Sequence, residues 1–592
     1  MKKTKNGERN VKRIIADKGK SFYHIVTART SHEAENYAAS VLYLYLFKAT
    51  GAFVPSFSDD ERCLPKGPEI HIGPCVRGIK TDTSSIESDD GFLIKTRGED
   101  IVITGKTPRG TVYGVYYFLE KYIGFKCFTK DVETYDNVET LAVEDLDLAV
   151  HPAFEYREVY FRSAFDPLFC VKNGLNSNMA PIPKEWGGKM KFFNFHHSFG
   201  DLLPPDVHFD AHPEYFSMVD GVRQKERTQI CLTSEGAFQE ARKQLRRWIR
   251  ENPDCKVFSI AQNDWQNNCT CPRCKALDDA YNTPAASMIT FVNRLAEDIK
   301  EDYPDVLIHT FAYKYTKKAP VGLKVADNVI VRLCNIECSW DVSMERQAAE
   351  RPESEAAGFM ENIRRWKKLC KHLYIWDYAC VFWNYLLPFP NYRSMPENMR
   401  TYQKLGITGV MQQGNFSYGE ASALTDLECY LAARLLWDPN RDTEKLTNDF
   451  LMAVYGKNAF PYMKEYVDLL VREAEGKQLT IHIFSDSEIF SDDLVNKAEE
   501  LFQKAISATE NEKHRRYLEK ESLSVLFLKA SRLPLGHPER DGLIDLLYKK
   551  VKEFGITEIR ERRHLDIVFE NLRNSRYCKD KTGEYNLYYI MK

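Results

Sequence analysis

The chain has 592 residues, of which 43% are hydrophobic, 12% aromatic and 28% charged, a balance that buries large cores and excludes a disordered or fibrous protein. Its 82 lysines and arginines stand against 85 aspartates and glutamates, for a net charge of −3; no basic stripe is dense enough to track a phosphate backbone, which argues against a nucleic-acid partner. The apolar run at 38–47 is about half of the ~20 residues that cross a bilayer, so no membrane span is expected. Residues 1–20 are basic and polar without the apolar core of a signal peptide, so the sequence as it stands predicts no export signal.

The length calls for several domains. In the first, Ser31 is placed to cap a helix that carries Glu33 and Glu35 in its first turn and Tyr37, Val41 and Leu44 at helical spacing. Strand-like runs follow at 69–72, 91–95 and 101–104, then an amphipathic helix at 111–122 closed by Gly124. These predict an α/β domain over 1–150. From 151 to 423, short β-branched or aromatic runs alternate with helical segments. The runs are 155–161, 190–195, 257–261, 307–312, 329–333, 373–376 and 409–412. Their alternation predicts a (β/α)8 TIM-like barrel of about eight units. A doubly wound sheet is the alternative, but no G-x-G-x-x-G follows any strand. Residues 424–592 read as a helical domain, with helices expected at 444–454, 462–474, 493–507 and 510–533.

A (β/α)-barrel does its chemistry at the carboxyl ends of its strands, which turns the strand list into a candidate site. Arg157 lies in the first run, with Arg162 and Asp166 after it, and His196 and His197 follow the second. Gln262, Asn263, Asp264 and Trp265 follow the third, and Tyr313 and Tyr315 the fourth. Asn335, Glu337 and Trp340 come next, then Asp377, Tyr378 and Trp383, and finally Gln413 and Asn415. Aromatic rings beside carboxylates and amides suit carbohydrate, whose ring faces stack while its hydroxyls need donors and acceptors. Glycoside hydrolysis needs an acid for the leaving oxygen and a second group at the anomeric carbon. Asp264, Glu337 and Asp377 are the carboxylates placed to supply them, although each could equally be a helix cap or a loop ion pair. His196 and His197 could orient sugar hydroxyls or simply stabilise their loop.

Fifteen cysteines, odd in number and scattered, do not form the framework of a small secreted domain. Cys269, Cys271 and Cys274 nevertheless make a C-x-C-x2-C cluster. It suggests a structural zinc site with a fourth ligand from Cys255 or a histidine; a disulfide plus a free thiol, or three reduced thiols, are the alternatives. It has no hydrolytic-zinc spacing, and no cofactor is expected for catalysis. G-x-S-x-G, P-loop and H-E-x-x-H motifs are absent, so serine hydrolase, NTPase and zincin readings lack support.

Several segments carry a resemblance. The run from Asn194 through His196, His197 and Phe199, then His212 to Phe216, Gln229 to Cys231, and Ser259 to Asp264 with the cysteine cluster, resembles the domain of unknown function 4838, which includes glycoside hydrolase family 163. Tyr374 to Tyr378, Pro388 to Asn391 and Leu436 to Pro439 extend it. Ile70 to Gly73 and Arg109 to Val115 are similar to the α/β domain that precedes the barrel in family 20 hexosaminidases and family 67 α-glucuronidases.

The resemblance implies an endo-β-N-acetylglucosaminidase that cleaves the chitobiose core of complex N-glycans, typical of exported proteins of gut Bacteroidota and hence periplasmic or cell-surface. In such enzymes the substrate's 2-acetamido oxygen is the nucleophile, an exception to the two-carboxylate scheme. Family 20 enzymes carry an Asp-Glu pair where this chain has Asn263-Asp264, so the pair does not transfer. Glu337 is then expected to be the general acid/base, with Asp264, Asn263 and Tyr313 placing the acetamido group and the two carboxyl roles open to exchange. By analogy with family 20, Arg157 would bind a hydroxyl pair of the sugar; an inner-barrel ion pair is its other reading. The alternatives are an exo-acting hexosaminidase, an α-glucuronidase-like hydrolase, and a glycan-binding protein without activity.

Overall fold

The computed structural model describes residues 12–61, 65–417 and 419–574. The first eleven residues of the polar stretch at 1–20 lie outside the described residues.

The amino-terminal domain is built on a six-stranded sheet. Its strands are β1 (His24–Thr27), β2 (Ser56–Ser58), β3 (Glu69–Ile72), β4 (Phe92–Arg97), β5 (Asp100–Gly105) and β6 (Asp147–Val150), in the order β6-β4-β5-β3-β1-β2. Helices α1 (Glu33–Thr50) and α2 (Pro108–Ile123) pack together against it. The cap of α1 is His32 and not Ser31. Its Nδ1 accepts the Ala34 N–H at 3.1 Å while Glu35 reaches back to the His32 N–H at 3.0 Å, so an imidazole supplies the acceptor usually given by a hydroxyl. The second helix starts before residue 111 because Thr107 caps it and Pro108 opens its first turn. Gly110 is required there, since a Cβ would meet the Gly91 carbonyl oxygen at 2.4 Å.

The central sheet is parallel, with strands β7 (Tyr156–Tyr160), β8 (Phe192–Phe193), β9 (Val257–Ser259), β10 (Leu307–Ala312), β11 (Val329–Cys334), β12 (His372–Tyr378) and β13 (Gly409–Gln413). Their order is β7-β13-β12-β11-β10-β9-β8. All seven expected runs are strands, but the count is seven, not eight, among the described residues. The chain between β8 and β9 forms short helices, a hairpin, Met218–Val219 with Val222–Arg223, and the 17-residue helix Glu235–Glu251, none of which adds a strand to this sheet. The sheet curls so that its edge strands β7 and β8 approach, with the Tyr156 and Phe192 rings 4.9 Å apart. The result is mixed α/β and TIM-like.

Side chains alternate across each strand. Tyr156, Ile330, Tyr374 and Met411 share one inner cluster. At the axis stands Arg332, fully buried, with its guanidinium 5.1–6.0 Å from the rings of Tyr156, Phe192, Phe195, Tyr374 and Trp376. Its nitrogens have no hydrogen-bond partner among the described residues, so the ring faces supply the compensating electrostatics. The interior is therefore packed and is not a pore.

Arg157 faces outward, one residue out of step with Tyr156. It is fully buried, donating to Asp90 at 2.6 Å and to the Gly174 and Phe154 carbonyls at 2.7 Å each, with Trp437 5.1 Å beneath it. Of its two readings these contacts are those of the ion pair, here made outside the barrel with Asp90 of the amino-terminal sheet. Beyond the barrel the described residues form helices, one of them broken. The predicted helix at 510–533 is two helices, Glu512–Glu521 and Leu523–Arg532, separated at Ser522.

Candidate active site

The carboxyl ends of β9 and β10 are tied into one frame. Gln262 donates to the Tyr313 carbonyl at 2.7 Å and accepts from Thr316 Oγ1 at 2.7 Å, while Thr316 also accepts the Tyr313 N–H at 3.1 Å. Next to Gln262, the backbone of the β9 loop is held by the Gln229 side chain. Its amide donates to the Asn263 and Trp265 carbonyls at 3.0 Å each and accepts the Asn263 N–H at 2.9 Å. The Asn263 side chain is itself engaged, donating to Thr228 O at 2.9 Å and accepting from Gly200 N at 3.1 Å. It fastens three segments, a positioning role in place of the expected contact with sugar.

On this frame Asp264 stands half-exposed, with Lys314 Nζ 2.7 Å from its carboxylate. Lys314 adopts φ 52°, a left-handed conformation costly for a residue with a side chain and one that clusters at functional sites. His197 donates from Nδ1 to the Gln262 carbonyl at 2.6 Å, which leaves Nε2 toward Asp264 at 3.9 Å. Burial lowers the pKa of both His196 and His197. Glu337, at the end of β11, is 41% exposed and lies 3.0 Å from Lys317 Nζ. Both carboxylates act on Tyr313, whose phenol is pushed well up first by burial and then by the charge of Asp264, with a smaller part from Glu337.

Beneath these groups lies an aromatic floor. Phe311 and Cys334 are buried, and Trp376 and Tyr313 pack on them partly exposed. Trp376 sits 5.7 Å from both Phe195 and Phe311 and donates its Nε1–H to Gln413 Oε1 at 2.7 Å. Gln413 is thus an anchor beneath the mouth. Asn415, also buried, accepts the Ser417 N–H at 3.1 Å and holds Arg162 N through its carbonyl at 2.9 Å. Trp265 is 40% exposed, with the Arg227 guanidinium 5.5 Å from its ring. Exposed His196 completes the rim.

Two expected site residues turn away. Asp377, one step from Trp376, points outward and is 2% exposed. It accepts from Asn335 at 2.7 Å, Trp340 Nε1 at 2.9 Å, Tyr378 N at 2.9 Å and Tyr402 OH at 3.2 Å. Burial raises its pKa against those four bonds. Trp340 is buried with it, while Tyr378, also buried, lies two residues on from Trp376 and so on the same face of the strand, its ring centroid 6.0 Å from that of Trp340. Asp377 and Trp340 thus belong to a buried network behind the strands, which for Asp377 follows from strand alternation.

Sequence reasoning missed Trp376, Lys314, Lys317 and Gln229. Counting by twos from Tyr374 would have found Trp376, and Lys314 adjoins Tyr313. Nothing in the sequence announces Glu561. This residue of the helical domain has its pKa raised by burial, lowered in part by Arg562 and raised again by the charge of Asp264. The helical domain reaches the rim here, with Tyr385 N bonded to Ile559 O at 2.8 Å and Arg560 4.9 Å from the Trp383 ring.

A cavity of about 770 Å³ opens at the opposite end of the barrel, lined among others by Asp90, Arg109, Glu155 and Lys256. Its charges are engaged with one another or with neighbours: Asp90 with Arg109, Glu155 with His372, Lys256 with Asp89. Barrels of this kind keep stability, not chemistry, at that end. Away from the mouth, the cysteine cluster is completed by Cys231. Cys255, the expected fourth thiol, lies instead beside Lys191 and Asp254.

Residues 127–468, more than half of the chain, match the family described as "Domain of unknown function (DUF4838)". The chain belongs to the DUF4838 family. No curated protein matches the sequence. Among solved structures, a family GH115 4-O-methyl-α-glucuronidase with specificity for decorated arabinogalactans superposes with a TM-score of 0.55 at 10% identity, covering 91% of this chain and 77% of that one. The likeness shows that this DUF4838 protein shares the fold of that structure. The structure titled CpGH84B aligns at a TM-score of 0.45 and 13% identity over 95% of this chain and 98% of its own.

Proposed function

We propose that this DUF4838 protein is a glycoside hydrolase whose site is the barrel mouth around Asp264, Tyr313 and Glu337. One observation carries the reading: two exposed carboxylates, Asp264 and Glu337, each beside a lysine, stand at the ends of β9 and β11 on either side of the β10 end that carries Tyr313, at the edge of an aromatic floor. In the finer reading it is an endo-β-N-acetylglucosaminidase acting on the chitobiose core of complex N-glycans. Glu337 protonates the leaving oxygen. Asp264, with Tyr313, orients the substrate's acetamido group and stabilises the positive charge that forms when its oxygen attacks the anomeric carbon. Trp376 and Trp265 stack on sugar faces, and electrostatics fixed in advance by the clamped loop lower the cost of charge development.

The test is incubation with a biantennary complex glycoprotein, followed by mass spectrometry. One N-acetylglucosamine retained on the protein supports endo cleavage; loss of terminal sugars alone supports an exo-acting enzyme. An unchanged glycan, together with inert aryl β-N-acetylglucosaminides, sinks the reading.

A second reading has one observation in its favour. Lys314 and Lys317 bring to the mouth the positive charge that a uronate needs. An α-glucuronidase assay on aryl and oligosaccharide glucuronides separates the two.

A further inference from the structure

The cysteine cluster makes a stronger statement in space than in sequence. Cys231, Cys269, Cys271 and Cys274 are all buried, and their sulfurs lie within 4.8 Å of one another. Cys231 Sγ is 3.7 Å from Cys271 Sγ and 3.9 Å from Cys274 Sγ, although Cys231 and Cys271 stand 40 positions apart in the chain. A tetrahedral zinc ion with Zn–S bonds of about 2.3 Å sets its sulfurs about 3.8 Å apart, whereas a disulfide needs about 2.05 Å. Donors surround the sulfurs. Met218 N–H lies 3.3 Å and Arg223 Nη1 3.7 Å from Cys269 Sγ, and Thr233 Oγ1 is 3.2 Å from Cys274 Sγ. Such N–H and O–H groups offset the negative charge that four thiolates place on one divalent ion.

We infer that Cys231, Cys269, Cys271 and Cys274 bind one zinc(II) ion in a closed tetrahedral site that fixes the loop bearing Asp264. Four protein ligands leave no open position for water or substrate, so the ion is structural. Its placement gives it a use. The cluster joins two segments: one ends at Cys231 and contains Thr228 and Gln229, the other runs from β9 through Asp264 to the helix Pro272–Ala280. Thr228 and Gln229 make the four bonds that hold Asn263 and Trp265. A metal cross-link just beyond those bonds keeps the two segments in register and so keeps Asp264 where Lys314 and His197 meet it. The inference about the ion stands whether or not the glycosidase reading does.

The full chain, purified without chelator and without a metal-affinity tag, is analysed by elemental mass spectrometry and by titration with an organomercurial in the presence of a chromophoric zinc indicator. We expect one zinc per chain, released as four thiols are modified, and visible bands of tetrahedral thiolate coordination when cobalt(II) replaces it. C231S should lose the ion while C255S keeps it; should C231S fail to fold, the mercurial titration of the wild-type chain decides by itself. Hydrogen exchange at 262–268 should quicken at least tenfold on zinc removal, without equal change in the amino-terminal domain. A chain that carries no zinc after growth in zinc-supplemented medium, or whose intact mass shows disulfides among these four cysteines, overturns the inference. Zinc retained in full by C231S overturns the ligand set, and unchanged exchange at 262–268 overturns the role given to the ion.

Discussion

Arg157→Ala distinguishes a structural anchor from a sugar-binding residue. The guanidinium is fully buried and makes three strong bonds: to Asp90 at 2.6 Å and to the carbonyls of Gly174 and Phe154 at 2.7 Å. Removing one partner of a buried ion pair costs about 3–5 kcal/mol, and each orphaned carbonyl adds about 1 kcal/mol. Asp90 keeps Arg109 at 2.5 Å and Asn176 at 2.9 Å, which retains part of its compensation. A loss of about 4 kcal/mol is therefore expected in the transition that separates the first domain from the barrel. Urea unfolding followed by tryptophan fluorescence measures it, with each transition fitted separately because a chain of this size does not unfold as one unit. The pH dependence has a definite sign. Burial alone would raise the pKa of Asp90, but Arg109 and Arg157 overcome it and hold the carboxyl below its ordinary 3.8. The stability this charge contributes is present above pH 3.8 and is lost as pH falls through the lowered folded value. The gap between wild type and variant should accordingly narrow in acid. The variant that remains folded should keep kcat/KM within about twofold, a change of about 0.4 kcal/mol in the barrier. A stability loss below about 1 kcal/mol with a hundredfold fall in kcat/KM would refute the anchor and return Arg157 to the sugar.

Glu337→Gln should lower kcat/KM by about 10²–10⁴, the range for losing a general acid, and leave thermal unfolding nearly unchanged because the side chain is 41% exposed; near wild-type turnover would exclude Glu337 as the acid. Asp377→Asn should cost about 1–3 kcal/mol, since an amide donor must face at least one of four donors; an equally stable variant with a raised KM would instead place Asp377 in the site. His197 has its pKa lowered from 6.5 by burial, so folding favours the neutral ring. Its contribution to stability is lost as pH falls below 6.5 toward the lowered folded value, and His197→Gln should flatten the unfolding midpoint's slope with pH in that interval. An unaltered slope would assign it to other groups.

What could be read from the residues was what repeats locally. Runs of β-branched and aromatic residues marked all seven strands of the barrel sheet, and the barrel rule led to the mouth where Asp264, Tyr313, Glu337 and Trp265 stand. Caps were less legible, because His32 can accept an amide proton as well as a serine and because Ser522 interrupts what composition alone presents as one helix.

The alternation of strand and helix and the presence of three clustered thiols were legible in the residues because both depend on neighbours a few positions away, but strand ends were not: the run expected at 373–376 extends to Tyr378 and takes in Asp377. Facing and partnership came from how the elements pack in space. Asp377 and Trp376 are adjacent, yet one is buried behind the sheet and the other floors the mouth, because a strand sends successive side chains to opposite sides. Arg157 faces the first domain for the same reason. Cys231 joins the thiols and Gln229 clamps the loop of Asp264 through contacts between residues far apart in the chain. Such contacts leave no period in the sequence: their energies depend on distance and burial in space, and spacing along the chain does not encode either.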